Sequence, residues 1–503
     1  MNYAQLFRVT LPETVLEIAA LLVLLVDLAF LRKAALKTRV VVSTLLGVVG
    51  CGASIVALYN TLGGGVSFGG VQLLSSGGTV AVAQIAILAL TALALLLIDS
   101  EFTRHPGEFV AVVLMAASGG LIISAAQDLL VIFAGLELLS ISLYVLTAFG
   151  KTSAKSAEAA LKYYLFGGMS AAFLLFGFSY LYGLSGSTRL QYVVMSACDA
   201  SKSGGAPLLY IALVMIAAGL GFKVAAVPFH LWAPDTYEGA PVPAAAFIAS
   251  VSKVASFSLL LSIGRPVTMF LGWFLLPTGS SRAWSVTLVL LAAASMVFGN
   301  LAALAQTSVR RLLAYSAIAH AGYMLLGLAF AGYGSFGSFF FHYSYGNDQA
   351  VMYYILTYGL TTVGAFGVVG VVERATGSDR LDAFLGLHKR NPLLAGVLLV
   401  LFLSLAGIPP LVGFWAKFNL FATVLSVGGG VVPFALVAFA VAFSAVSLYY
   451  YLQVLKRAYV MPTVDETPIK IHPVTAVVLL VIAALVIVFG CFPALLQGWI
   501  AQF

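Results

Sequence analysis

Fourteen apolar stretches, each long enough to cross a lipid bilayer, follow one another along almost the whole chain and leave it little choice of fold. A helix needs about 20 mostly apolar residues to span the hydrocarbon, and glycine, proline and charge clusters mark the breaks between such runs. The spans read as 11–31, 40–60, 79–99, 109–127, 129–149, 157–183, 208–229, 241–264, 284–305, 312–332, 350–373, 391–424, 431–455 and 473–494. Of 503 residues, 62% are hydrophobic and only 9% charged, against roughly a quarter charged in soluble domains. The chain is therefore expected to be an all-α polytopic membrane protein with about 14 transmembrane helices.

Two of the spans look broken. The twelfth is too long for one straight crossing and carries Gly407, Pro409, Pro410 and Gly413; the seventh runs into Pro228 and the segment PFHLWAP. Proline removes a helix hydrogen bond and clashes with the preceding turn. The breaks lie five spans apart, which points to a duplicated architecture. Paired discontinuous helices are where transporters place their working sites, because freed carbonyls and half-helix ends face a polar cavity there.

Charge sets the orientation. Sixteen Lys and Arg fall in loops after odd-numbered spans; five, Arg8, Arg189, Lys202, Arg265 and Arg282, fall in the other loops and the termini. Basic loops stay cytoplasmic, so both termini are expected on the non-cytoplasmic side. The loop after the seventh span departs from this rule, holding Asp235 and Glu238 without a base. The amino terminus carries Glu13 and Glu17 and lacks the basic start and small-residue cleavage site of a signal peptide, so the first span reads as retained. The net charge of +7 reflects this loop asymmetry, not a nucleic-acid surface. Cys51, Cys198 and Cys491 are isolated, without the paired spacing of a zinc or iron–sulfur site. No strand leading through a Gly-rich turn into a helix is visible, so no nucleotide site is expected.

The residues that stand out are charges inside the spans: Lys162, Lys223, Lys253, Lys417 and Glu137. Intramembrane ionisable groups are costly, face the bundle interior and mark ion or proton paths. Glu137, about 13 Å into its helix, is mid-membrane. Burial disfavours a charged lysine and a nearby carboxylate restores it, so a lysine can take up and release a proton as its partner moves. Arginine stays charged; lysine at all four sites favours titration. The alternatives are structural ion pairs or, for Lys162 near its span's start, snorkelling to the interface. His230 and His320 are candidate relay members because histidine titrates near neutrality. Glu17 and Asp27 read as structural, Arg310 and Arg311 as anchors at a cytoplasmic helix start, and His105, His342, His388 and His472 as loop residues.

The segments KVAAVPFHLWAPDTYEGAPVPAAAFIASVSK, QTSVRRLLAYSAIAHAGYMLLG and LSLAGIPPLVGFWAKF resemble the signature stretches of the antiporter-like membrane subunits of respiratory complex I. The wording APDTYEGAPVP is most like the subunit N (subunit 2) type. The resemblance implies an N-terminal three-helix segment (1–108), two inverted five-helix repeats (109–264 and 284–455) with helices 7 and 12 broken, and a final helix (473–494). It implies that Glu137, Lys223, Lys253 and Lys417 match the family's relay residues, and Lys162 a further lysine. His320 would help pass protons from Lys253 toward Lys417. It further implies that redox chemistry elsewhere drives the movement: NADH, FMN, iron–sulfur clusters and quinone would sit in partner subunits, and no cofactor in this chain. A sister antiporter-like subunit and small membrane subunits would be neighbours in a bacterial inner membrane. A multisubunit sodium/proton antiporter, a membrane-bound hydrogenase, a stand-alone solute transporter and a membrane scaffold are the rival readings.

Overall fold

The computed structural model describes residue 7 and residues 10–62, 65–68, 71–75, 77–98, 104–200, 205–271, 279–330, 347–427, 431–462 and 467–503. Arg8, Lys202 and His342, and the side chains of Cys198, Arg265 and Arg282, lie outside what is described.

The first span is a composite: α1 (Leu11–Leu25) runs into a π-turn over Val26–Phe30. Next come α2 (Leu36–Tyr59), a hairpin of β1 (Gly65–Phe68) and β2 (Val71–Ser75), α3 (Thr79–Leu96), α4 (Pro106–Ala125), α5 (Leu129–Thr147), α6 (Ala154–Ser185) and the short α7 (Leu190–Ala200). The seventh span is α8 (Ala206–Val224), broken over 225–231 before the short α9 (Trp232–Gly239). Then follow α10 (Val242–Leu271), α11 (Gly279–Leu304), α12 (Val309–Ala329), α13 (Asn347–Thr376) and α14 (Leu387–Arg390). The twelfth span splits into α15 (Pro392–Ala406) and α16 (Val412–Val427), ahead of α17 (Val431–Tyr459), α18 (Pro473–Cys491) and α19 (Pro493–Ala501). Among the described residues twelve helices are long and apolar enough to cross a membrane. The α1 composite and the split α15–α16 pair bring these to the fourteen spans read from the sequence.

Helix ends carry their own signals. Side-chain oxygens of Asp128, Ser153, Ser308 and Asn391 accept from the free first-turn N–H groups of α5, α6, α12 and α15. The seventh span ends earlier than Pro228 suggested. Ala225 takes a left-handed φ of 60°, and its N–H and that of Ala226 turn back to Phe222 O (3.0 Å) and Gly221 O (2.8 Å). The helix is therefore closed before the proline is reached. Gly407, φ 89°, ends α15 in the same way, with Ile408 N–H on Leu403 O at 3.0 Å.

One expectation needs correcting. A strand does precede a Gly turn and a helix: β2 leads through Gly77 and Gly78 into α3. Its partner β1 is antiparallel, with a register shift between Val66 and Ser67, so this is a local ribbon and not a βαβ unit. A Cβ on Gly78 would lie 3.3 Å from Phe503 O, so the chain's last residue packs against the turn.

Similar details recur in two parts of the chain. At the start of α5, Leu129 N–H donates to Thr188 O and Leu190 N–H to Gln127 O, both at 2.9 Å. At the start of α12, Val309 N–H donates to Asp379 O (2.9 Å) and Leu381 N–H to Thr307 O (2.8 Å). The side chains mirror this with roles exchanged: Thr188 Oγ1 donates to Asp128 at 2.5 Å, and Ser308 Oγ donates to Asp379. Glycine permits an equally close crossing in both places. A Cβ on Gly119 would fall 2.6 Å from Leu139 N, and one on Gly299 2.6 Å from Ala319 N.

The core is uneven. The apolar windows of α10, α12 and α13 are 94%, 94% and 100% buried, against 33% for α6 and 22% for α17. Three helices thus have almost no surface to offer lipid, and they are the ones that hold the middle of the site.

Candidate functional site

Lys223 occupies the last turn of α8, at the negative end of the helix dipole, where a cation is favoured. It is 8% exposed, and its Nζ donates to Ser140 Oγ on α5 at 2.5 Å. Ser140 Oγ in turn donates a hydrogen bond to Leu136 O. Glu137, half-buried, is one turn before Ser140 on the same helix. Among the described residues no ion pair joins Glu137 to Lys223, and the serine makes the contact.

Lys253, on α10, is 2% exposed. Its Nζ donates to Ala317 O on α12 at 2.5 Å and stands 5.5 Å from the centre of the Tyr358 ring. That ring lies 4.9 Å from the imidazole of His320, so Tyr358 of α13 neighbours both titratable groups. His320 Nδ1 shares a hydrogen bond with Tyr354 OH at 2.8 Å and Nε2 one with Tyr451 OH at 3.3 Å. Tyr451 OH also meets Ser316 Oγ. A cavity of about 10 Å³ lies against His320, Tyr354, Thr357, Ser404 and Leu405, roughly room for one water.

Lys417, 6% exposed, sits in the second turn of α16 and reaches back across the break. Its Nζ donates to Ala406 O (2.9 Å), Leu405 O (3.2 Å) and Ser444 Oγ of α17 (2.8 Å). The two carbonyls belong to the last turn of α15, whose acceptors have no partner within the helix. Leu405 thus lines the His320 cavity and binds the Lys417 amine. Together these contacts join Lys253, Tyr358, His320, the cavity and Lys417 into one buried polar path. Lys223 shares no partner with Lys253 among the described residues. In the break that follows Lys223 and in α9 beyond it, His230 Nδ1, Thr236 Oγ1 and Tyr237 OH are buried without hydrogen-bond partners, the kind of group that ordered water satisfies. His230 is therefore at the first break, away from the His320 cluster.

Lys162 lies apart from this path. Its side chain is 40% exposed and pairs with Glu158 and with Asp235 on α9, each at 2.7 Å. Asp235 and Glu238 also hold Arg311 at 2.8 and 2.9 Å, and Glu238 holds Lys155 at 3.1 Å. The acidic loop that broke the charge rule is thus neutralised by bases from α6 and α12. Arg311 is more than an anchor, and so is Arg310. It is 4% exposed and donates to Tyr237 O at 2.8 Å, to Ala240 O and to Glu373 at 3.1 Å, tying α9 to α12 and α13.

Sequence reading missed Ser140, Ser444, Tyr354, Tyr358 and Tyr451, the neutral groups that complete the path. Tyr354 and Tyr358, one turn apart on a span, were the available signal.

The transmembrane family described as NADH:quinone oxidoreductase/Mrp antiporter matches residues 126–444. NADH-quinone oxidoreductase subunit N 2 of Acidobacterium capsulatum is 44% identical, over 99% of each chain. A chain of respiratory complex I from Thermus thermophilus with bound aureothin is 33% identical, with a TM-score of 0.76 over 97% of this chain and 98% of that one. A chain of an archaeal membrane-bound sulfane sulfur reductase is 24% identical with a TM-score of 0.81, over 99% of this chain and 96% of that one, a likeness of fold alone. This chain is an integral membrane protein of the subunit N family of NADH-quinone oxidoreductases.

Proposed function

We propose that this chain translocates protons as the subunit N of a NADH:quinone oxidoreductase, through the buried axis of Lys223, Lys253, His320 and Lys417 under the influence of Glu137. The observation that carries this reading is the continuity of the path from Lys253 to Lys417: an amine on a carbonyl, a tyrosine ring, a doubly hydrogen-bonded imidazole, a water-sized cavity and a second amine, all buried. A lysine without a carboxylate partner in a dry core is easily deprotonated, and neutral hydroxyl, imidazole and water groups can both accept and donate protons. Lys223 would receive a proton near Ser140, hold it while Glu137 is charged, and pass it toward Lys253 by water at Thr236 and Tyr237. Lys162, exposed and ion-paired to Asp235, fits a role at the edge of the axis, facing a neighbouring subunit.

The repeated clasp and helix-crossing details support two five-helix repeats, 109–264 and 284–455, flanked by the three-helix segment 1–108 and the final helix 473–494. NADH, FMN, iron–sulfur clusters and quinone belong, in this reading, to partner subunits, and their redox chemistry supplies the driving force. The loop charges favour both termini on the non-cytoplasmic side of a bacterial inner membrane. A sister antiporter-like subunit and small membrane subunits are the neighbours it would join.

The test is proton pumping by the intact complex in vesicles. Lys223→Ala should remove most pumping, and Lys223→Arg should do nearly as badly because arginine does not release its proton. Lys456→Ala, in the basic last turn of α17, should leave it unchanged. Wild-type pumping by the arginine variant would remove proton release at Lys223 from the mechanism.

A further inference from the structure

The N-terminal helices contain a pair of intramembrane acids that the lysine axis does not use. Glu13 and Glu17 stand one turn apart on α1, so their side chains share a face. Glu13 is 5% exposed. Gln84 Nε2 of α3 donates to its Oε1 at 3.3 Å and to Leu121 O of α4 at 3.2 Å, while Glu13 Oε2 is buried with no partner. Glu17 is exposed on the chain's own surface and accepts from Ser118 Oγ of α4 at 3.0 Å.

No base among the described residues faces this pair. On α2, Ser54 Oγ reaches Pro12 O at 2.7 Å, which places that end of α2 beside Glu13. The bases of α2, Lys37 and Arg39, lie at its other end, about 22 Å away along the axis. Arg39 there is held by Asp27 at 2.7 Å through both carboxylate oxygens. The helix α3 has no charged residue, and the charge of α4, Glu108, is in its first turn at the end near Asp27. Two adjacent carboxylates in a low-dielectric setting without a cation do not both ionise.

We infer that Glu13 and Glu17 form a proton-binding site in which one proton is held by the pair at neutral pH. Its place is Glu13 Oε2, the oxygen that neither Gln84 nor another donor reaches. Gln84 and Ser118 are positioning residues: each donates to one oxygen and so decides which oxygen is left to carry hydrogen. Glu17, exposed one turn on, connects the site to the chain's surface. This site stands whether or not the lysine axis carries protons.

Infrared spectra of the purified whole complex in lipid, recorded across pH, report protonated carboxyls through their C=O stretch. At neutral pH, Glu13→Gln should remove one protonated carboxyl per chain from the wild-type signal. Gln84→Leu and Ser118→Ala keep both acids and should shift the band without removing it. An identical carboxyl signal in wild type and Glu13→Gln would overturn the inference. Should Glu13→Gln fail to assemble, a band unmoved by Gln84→Leu would overturn it equally.

Discussion

The two broken helices bring a lysine to a helix C-terminus by opposite routes. In the first, Lys223 belongs to α8 and lies before the break, and its amine turns outward to Ser140 of α5. In the second, Lys417 lies after the break and folds back over Gly407 onto carbonyls of the half-helix it does not belong to. The helices facing the breaks differ in the same sense. The offset that carries Gly119 to Gly299 and Leu139 to Ala319 carries Glu137 to Ala317 and Ser140 to His320. One half thus has a carboxylate and a serine where the other has an alanine, whose main-chain oxygen takes Lys253, and a histidine. Of these matched positions, the first half alone supplies a carboxylate. In the second half Lys417 meets neutral acceptors alone, two carbonyls and a serine hydroxyl.

If that division is right, removing the charge should harm the first half most. Glu137→Gln is expected to cut pumping several-fold in the vesicle assay while leaving assembly intact, because the variant keeps the shape and loses only the field on Lys223. Full pumping by Glu137→Gln would break the distinction between the halves. In the second half the sensitive element is the break itself. Gly407 has φ 89°, and a Cβ there would meet Lys417 Cδ at 3.0 Å and Nζ at 3.2 Å. Gly407→Ala should therefore displace the amine from Leu405 and Ala406 and reduce pumping about as Lys417→Ala does. A Gly407→Ala variant that pumps normally would show that the carbonyl contacts do not matter.

A smaller effect is expected where the halves meet. Asp235 on α9 joins Lys162 of α6 to Arg311 of α12, with its side chain 26% exposed. Asp235→Asn leaves Arg311 with Glu238 and Lys162 with Glu158. A partly exposed pair contributes of order 1 kcal/mol or less, so the extracted complex should lose a little heat resistance and part of its coupling between redox turnover and pumping. Unchanged resistance and coupling would make the cluster a charge balance and nothing more.

Much of this architecture is legible in the sequence. Spans announce themselves because lipid demands long apolar runs, and the breaks because proline and glycine mark them. The lysines stood out because charge is rare there. What stayed hidden was neutral. Ser140, Ser444, Tyr354, Tyr358 and Tyr451 are ordinary membrane-helix residues, and only packing reveals which of them face an amine. Glu137 and Lys223 were both visible as intramembrane charges. That Ser140, one turn on from Glu137, is the group that meets the amine shows only in the packing. Asp235 and Glu238 looked anomalous because loop counting is blind to bases arriving from other helices.

The smallest effect is expected at the first break. Ala225, with φ 60°, is the positive-φ non-glycine residue of the described chain, and it stands where α15 uses Gly407. An L-residue in this left-handed region costs roughly 1–2 kcal/mol, which glycine avoids, although glycine also gives the unfolded chain more freedom. Ala225→Gly should therefore raise the thermal midpoint of the extracted complex slightly, by an amount matching about 1 kcal/mol or less, and leave pumping unchanged. No side chain is lost from the Lys223–Ser140 contact. The same position in the other break accepts only the reverse substitution, at the cost described above. A fall in pumping with Ala225→Gly would mean that the first half, too, depends on a rigid break, and that its reliance on Glu137 is not what sets it apart.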